Sequence, residues 1–380
     1  MDYELSDEQN ALRDLAREFA RREMDPVAAE HDRSAQYPAA VVAKAFDVGL
    51  INLNVPEAYG GPGLSVLDEC LVAEELSAGC VGITASLGLN ALSATPILLA
   101  GSGALQAKYL PRLTRDRSMA SYALSEPDMG SDVASLATRA TRVDGGYRIS
   151  GTKNFISNAS IASFYIVFAS TDRAMGARGI TAFVVEKAFA GVTVGKKDDK
   201  MGQRAADTAQ LHFDDVFVPE ENRIGADGEG FKVAMRTFDR TRPAVAALAV
   251  GVARRALEHA VAYAGQRKTF GRPIAEHEGI AFKLADMATL VAAARHLTRH
   301  AAWLVDHGKP NTLEASMAKA FAADACMKVT TEAVQVFGGY GYMKEYPVEK
   351  LMRDAKVFQI YEGTSEIQRL IIARELARRS

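Results

Sequence analysis

Tyr361-Glu362-Gly363-Thr364-Ser365-Glu366 stands between two apolar helical patterns near the end of the chain. Thr364 or Ser365 can cap a following helix, and Ser365 with Gln368 has capping-box spacing. Ile367, Leu370 and Ile371 then recur at helical intervals, with Arg374 next on that stripe. Gly363 permits a tight backbone path just before the cap. Glu362 is therefore expected on a short, fixed loop leading into a helix N-terminus, with Tyr361 beside it. A carboxylate among aromatic and apolar neighbours can have its pKa raised into the working range of a general base. Taken alone, the same pattern also describes a solvated acid in a surface turn.

Upstream of this stretch the chain is Ala-rich and helical from Gly230 onward. Its periodicity predicts long helices over 230–266, 276–307, 312–337 and 365–378. Four such helices with short links suggest an antiparallel bundle whose small faces pack closely or meet a second copy. Arg242, in Phe238-Asp239-Arg240-Thr241-Arg242-Pro243, offers a planar fork to oxygen acceptors, although a solvated helix face is the simpler account. Arg267-Lys268-Thr269-Phe270-Gly271 gathers cations and a hydroxyl at a helix end. That group suits a diphosphate, and equally a charge-stabilised helix cap. His296 and His300 share a helix face, but Leu297 replaces the Glu of a zinc-protease motif and Arg295 and Arg299 flank the pair. A solvated face explains them better than a metal.

Further upstream, from about Ser118, β-type alternation replaces the helical period. Asp144-Gly145-Gly146 is a hairpin signal between Ala137–Val143 and Tyr147–Ser150. Phe164–Phe168 and Ile180–Val185 read as buried strands, and Leu211, Phe213, Val216 and Val218 mark another. These predict a compact antiparallel β domain over 118–225. The loop Tyr122-Ala123-Leu124-Ser125-Glu126-Pro127-Asp128-Met129-Gly130-Ser131-Asp132 is dense in hydroxyls and free amides. Such a loop can bind a flavin edge or a diphosphate, or simply connect two domains. Gly151-Thr152-Lys153-Asn154-Phe155-Ile156-Ser157-Asn158 reads on its own as a strand with one aromatic. No glycine cluster has the strand-turn-helix context of a dinucleotide fold, which counts against a nicotinamide enzyme.

The first third, residues 1–117, is predicted helical. Ser6 and Gln9 form a capping box before a stripe of Leu12, Leu15, Ala16 and Phe19. Further helices are expected from Pro38 to Val48, around Leu67–Leu76, over Ile83–Ala100 and over Gln106–Leu113, with a Gly/Pro turn at Val55–Gly63. The whole is thus a multi-domain α+β chain: helices over 1–117, sheet over 118–225 and a four-helix bundle over 226–380.

Composition bounds the partners. The 380 residues carry a net charge of −2, with 48% hydrophobic and 24% charged residues, as in soluble globular proteins. No long basic run suggests nucleic acid, and no apolar run of about 18 residues suggests a membrane span. Cys70, Cys80 and Cys326 lack metal spacing and make no disulfide framework, so a reducing compartment fits. The opening Met1-Asp2-Tyr3-Glu4-Leu5-Ser6 is polar, with no basic-then-apolar leader, and a cytoplasmic location is expected.

Taken together, Ile360–Arg369 and Glu345–Lys356 resemble the C-terminal signature of the acyl-CoA dehydrogenases, and the resemblance extends over nearly the whole chain. It is nearest to the short- and medium-chain branch. It implies the three-domain fold of that family, an FAD cofactor, and a homotetramer with each FAD site shared between subunits. It implies Glu362 as the base that takes the α-proton of an acyl-CoA while flavin N5 takes the β-hydride, giving the trans-2-enoyl-CoA. No Glu lies among residues 239–243, where some branches carry the base, which supports Glu362. An electron-transferring flavoprotein is the implied acceptor, and fatty acid β-oxidation the implied setting. FAD contacts would come from Tyr122, Leu124, Ser125, Gly130 and Ser131, and from Phe155, Ile156 and Ser157. Arg267, Thr269, Phe270, Gln335, Val336, Gly338, Gly339, Thr364 and Glu366 would complete them. Substrate contacts would come from Ser131, Asp239, Arg242, Tyr361 and Gly363, with the acyl tail against Ile83–Pro96. Asp128-Met129-Gly130 replaces the usual Gly-Ala-Gly, Phe155 the usual Trp, and Glu278 a frequent Gln. An acyl-CoA oxidase would share these residues, a nitroalkane oxidase would carry Asp at position 362, and a non-catalytic acyl-CoA-binding scaffold would not need the base.

Overall fold

The computed structural model describes residues 4–379; Met1, Asp2 and Tyr3 of the polar opening lie outside that range. The first helices are α1 (Asp7–Phe19), α2 (Asp25–Ser34) and α3 (Ala39–Asp47), with a π-helical stretch at Ala20–Met24 between the first two. Ser6 and Gln9 form the expected capping box. Ala16 and Phe19 are buried, whereas Leu15, expected on the same stripe, faces solvent. The stripe spans a narrower arc than expected because α1 packs chiefly against one helix, α4 (Val66–Ala100). α5 (Gly103–Thr114) closes the region.

α4 is the pivot of the molecule. It spans 35 residues but leaves helical geometry at Cys80 (φ −161°, ψ 108°), a kink that separates the two helices expected there. Before the break, Val66 and Cys70 pack with Ala247 and Ala302. At the break, Val81 joins the C-terminal core, while Ile83 and Leu87 join the N-terminal one. Beyond it, Ala94 and Ile97 pack on Phe164, Ile166 and Phe168 of the sheet. Gly251 makes the closest helix contact possible: a Cβ there would lie 2.1 Å from Ser77 Oγ and 2.2 Å from the Glu74 carbonyl. Glu74 and Glu75, both buried, accept hydrogen bonds from Arg295, Arg254 and Arg17, which ties α4 to three other helices.

The middle region carries β1 (Ala120–Ala123), β2 (Arg139–Val143), β3 (Gly146–Ser157), β4 (Phe164–Ser170), β5 (Ile180–Glu186), β6 (Val192–Lys197), β7 (Thr208–Pro219) and β8 (Arg223–Ile224). They form one sheet in the order β6-β7-β3-β2-β4-β5-β8, with β1 on β4. Most pairings are antiparallel, including the β2–β3 hairpin read from Asp144-Gly145-Gly146. β1 and β2 run parallel to β4, so the sheet is mixed. Every residue of β4 is buried, which explains its unbroken apolar run.

The last region holds α6 (Gly230–Gln266), α7 (Glu278–Asp306), α8 (Thr312–Phe337) and α10 (Ser365–Arg379), the four expected bundle helices, with a short α9 (Pro347–Ala355) between the last two. Its core is largely alanine on α6 and α8, so these helices approach closely. A small hairpin, β9 (Lys268–Thr269) with β10 (Arg272–Pro273), links α6 to α7.

Candidate active site

The loop between α9 and α10 takes an uncommon path. Glu362 (φ 52°) and Gly363 (φ 91°) are both left-handed, a conformation that costs a non-glycine residue energy and recurs at functional sites. Thr364 is the cap: its Oγ1 accepts the Ile367 N–H at 3.2 Å. The expected Ser365–Gln368 capping box therefore does not form. Ser365 is already the first helical residue and donates to Asp324 at 3.0 Å. Gln368 instead turns back and donates to the carbonyls of Glu362 (3.2 Å) and Gly363 (3.0 Å). Lys319 of α8 donates to the Gly363 carbonyl at 2.6 Å.

The Glu362 carboxylate meets α6. Oε2 accepts the Thr241 hydroxyl at 3.0 Å. Burial pushes the carboxyl pKa above its ordinary value, and Thr241, Arg242 and Lys319 only partly offset this. Arg242 is 3% exposed and donates to Asp239 at 3.2 Å. Asp239 also accepts from Thr312 at 2.7 Å. The fork read in the sequence is thus folded inward, beside the loop. Tyr361 stacks edge-on against Phe358, its hydroxyl pKa raised first by burial and further by Glu362.

The two middle segments singled out in the sequence meet at the ends of β1 and β3. Asn154 N–H donates to Ser125 O at 2.9 Å, and the Ser121 hydroxyl donates to Ser157 O. Where the β3–β7 register shifts, between Lys153 and Ile156, Phe155 adopts φ 59° and leaves its ring 67% exposed. Ile156 points into the core, and Ser157 is half-buried. Tyr122 and Leu124 are buried, Ser125 is half-buried, and Gly130 and Ser131 lie exposed on the loop. The Tyr122 ring packs on Phe168 and Phe238, while its buried hydroxyl has no hydrogen-bond partner. Burial, and then the Glu362 charge, push that hydroxyl pKa well up, so the Tyr122 segment faces the Glu362 loop.

A third group forms a cleft of about 770 Å³ lined by Arg267, Thr269, Phe270, Val336, Gly338 and Gly339, among others. Phe270 and Gly271 (φ 50° and 81°) make the two-residue hairpin turn, and Phe270 is 96% exposed. Gly338 has φ 61° and ψ −137°, which only glycine adopts readily, and a Cβ at either Gly338 or Gly339 would meet nothing within 4 Å. Gln335 is exposed one residue before Val336. His277 holds this turn, its Nε2 lying 3.2 Å from the Thr269 hydroxyl, and Glu278 opens α7. The cleft shares no lining residue with the surroundings of Glu362. Thr364 and the exposed Glu366 stay with the Glu362 loop.

Sequence reading gave no role to several residues that organise this site. Lys153, 0% exposed at its side chain, pairs at 2.8 Å with Glu126, 4% exposed. Lys153 also donates to Leu124 O at 3.0 Å, and Glu126 accepts the N–H groups of Ala137 (2.7 Å) and Thr138 (3.0 Å). This buried pair shapes the Leu124–Ser131 loop against β3. Burial draws the Lys153 pKa down to about 8, and the Lys153 charge with these N–H donors holds the Glu126 carboxyl low. Lys319 was missed likewise, and Gln368, read as the partner of Ser365 in a capping box, clamps the Glu362–Gly363 carbonyls instead. The available signal was a lysine standing in the apolar periods of Gly151–Asn158 and of the Ala-rich α8.

Three family models match: acyl-CoA dehydrogenase N-terminal domain over residues 6–117, middle domain over 121–216 and C-terminal domain over 228–377. An acyl-CoA dehydrogenase of Bacillus subtilis is 47% identical over 374 residues, 98% of each chain. A short-chain specific acyl-CoA dehydrogenase of Clostridium acetobutylicum is 43% identical over 380 residues, 100% of each. Among solved structures, butyryl-CoA dehydrogenase from Megasphaera elsdenii superposes with a TM-score of 0.97 at 42% identity, covering 100% of both chains. So does a chain solved in work on the electron transferring flavoprotein of Acidaminococcus fermentans and flavin-based electron bifurcation, at 43% identity, TM-score 0.97 and 100% coverage of both.

Proposed function

The chain belongs to the acyl-CoA dehydrogenase family, and we propose that it α,β-dehydrogenates short-chain saturated acyl-CoA thioesters with Glu362 as the base. The observation that carries this is the Glu362 carboxylate: fixed on a left-handed loop, held by Thr241 and raised in pKa by burial. The family is FAD-dependent, and features of this chain suit that cofactor. They are the exposed Phe155 ring, the partnerless buried Tyr122 hydroxyl and the open backbone at Gly338 and Gly339. FAD would be held by Tyr122–Ser131 and Phe155–Ser157, with the Arg267–Phe270 and Gln335–Gly339 segments contributed from a neighbouring subunit of a homotetramer. When bound, it supplies the acceptor for the β-hydride.

This chain's own groups then act on the proton. A thioester loses an α-proton only when the charge growing on its oxygen is stabilised. The Glu362 backbone N–H would donate to that oxygen while its carboxylate takes the proton. Burial keeps the carboxylate basic enough to do so, and the Thr241 hydroxyl keeps Oε2 from rotating away. The apolar ring packing around Tyr122 and Phe238 would keep water from the reacting carbons. The short-chain preference follows the names of the relatives, and electron-transferring flavoprotein is proposed as acceptor because a chain 43% identical was solved in work on one. Three buried free thiols suit a reducing compartment such as the cytoplasm.

The test is anaerobic mixing with butyryl-CoA while flavin absorbance is followed. Wild type should bleach and form enoyl-CoA. Glu362→Gln should retain FAD and bind the thioester yet reduce flavin about 10²–10⁴-fold more slowly. Near-normal bleaching by that variant would place the base elsewhere.

A further inference from the structure

Lysine is rarely buried without a carboxylate partner. Lys319 is 1% exposed within a helix whose neighbouring positions Ala315, Ala318, Ala320, Ala322 and Ala323 are all buried alanines. An apolar side chain would suit that environment better. Its hydrogen bond runs instead to a backbone carbonyl, that of Gly363, at 2.6 Å. The same carbonyl accepts from Gln368 at 3.0 Å, and Gln368 also holds the carbonyl of Glu362. The two carbonyls belong to the two consecutive left-handed residues of the site.

We propose that Lys319 is a positioning residue for Glu362: clamping the Gly363 carbonyl, it fixes the left-handed Glu362–Gly363 pair and sets a buried positive charge beside the carboxylate. The inference rests on the reading of Glu362 as base, and adds to it the group that keeps the base oriented and ionisable. The clamp opposes relaxation of a strained loop towards ordinary backbone geometry. The charge opposes the desolvation of the carboxylate. The charged groups around Lys319 are Glu362 on the loop, Arg242 on α6, Asp324 on α8 and Glu366 on α10. Burial draws the lysine itself down to about 8, so it is cationic at neutral pH.

Lys319→Met removes donor and charge; Lys319→Gln keeps a donor and removes the charge. Each would be purified with FAD, and single-turnover flavin reduction by butyryl-CoA measured across pH beside Glu362→Gln. Lys319→Met should reduce flavin at least about tenfold more slowly at neutral pH, with FAD content and acyl-CoA binding retained. Its rising pH limb should move to higher pH. Lys319→Gln should recover part of the rate but keep the displaced limb. A merely structural lysine would lower yield or FAD content and leave the limb in place. A wild-type rate and limb in Lys319→Met overturns the proposal. If Lys319→Met does not fold, an unmoved limb in Lys319→Gln overturns it equally. A Glu362→Gln variant that still reduces flavin normally would refute the reading of the base instead.

Discussion

Replacing Lys153 by methionine tests whether the buried Glu126–Lys153 pair shapes the Leu124–Ser131 loop. The pair spans 27 residues of sequence at 2.8 Å, with both side chains almost fully shielded from water. Methionine matches the length of the lysine stem but removes its charge and its bond to Leu124 O. Glu126 then keeps two N–H donors and has lost its counter-ion. Removing one partner of such a pair costs about 3–5 kcal/mol. For a chain of this size, with an unfolding entropy of about 0.8 kcal/mol/K, that is a fall in thermal midpoint of about 4–6 °C. The double variant Glu126→Gln/Lys153→Met leaves no uncompensated buried charge, so it should be less damaged than the two single losses added together, by about 1–3 kcal/mol. The assay is thermal unfolding at one fixed, saturating FAD concentration, because bound cofactor itself raises the midpoint. Flavin retained after desalting is the second readout, and it should fall in Lys153→Met. A midpoint within about 2 °C of wild type with full flavin would refute the reasoning. A double variant showing simple additivity would refute the pairing even if the single variant is unstable.

Flavin reduction should rise with pH along a limb whose midpoint lies above the ordinary Glu value of 4.5, since burial raises the Glu362 pKa and only the ionised form takes a proton; a limb at or below 4.5 would contradict that. The same shift affects stability. Between the ordinary value and the raised folded value the native state binds more protons than the unfolded chain, so stability falls as pH rises through that window. Glu362→Gln should therefore melt above wild type at about pH 8 and level with it near pH 4, and a constant difference across pH would refute the linkage. Gly338→Ala meets no steric obstacle but forces alanine into a glycine-only conformation, so it should cost about 1–3 kcal/mol and weaken FAD retention. Unchanged melting and flavin content would show that the turn relaxes freely.

The long helices were legible because their signals are local and repeated. Gly230–Gln266 and Thr312–Phe337 run for many turns of one apolar period, and their ends agree with the sequence reading. The β2–β3 hairpin announced itself in Asp144-Gly145-Gly146. β1 did not, since four residues hold too little pattern, and its parallel partner β4 lies some forty residues away. The position of Glu362 before a helix cap was readable, but its left-handed backbone was not, because that geometry is imposed by Lys319 and Gln368 from outside the loop. Lys153 and Glu126 were hidden for a related reason. A lone charge in sequence resembles a surface residue until the fold brings its partner to it.

The break at Cys80 has a consequence for modularity. Sequence models divide the chain into three consecutive domains, yet α4, which lies wholly within the first, supplies side chains to all three regions of the protein. Its first half is keyed into α6 through Gly251, and its second half carries the β-sheet on Ala94 and Ile97. The three segments are therefore not interchangeable cassettes. A middle or C-terminal segment produced alone would expose the apolar faces that α4 covers, and a chimaera would succeed only if α4 and both surfaces it docks on came from the same parent.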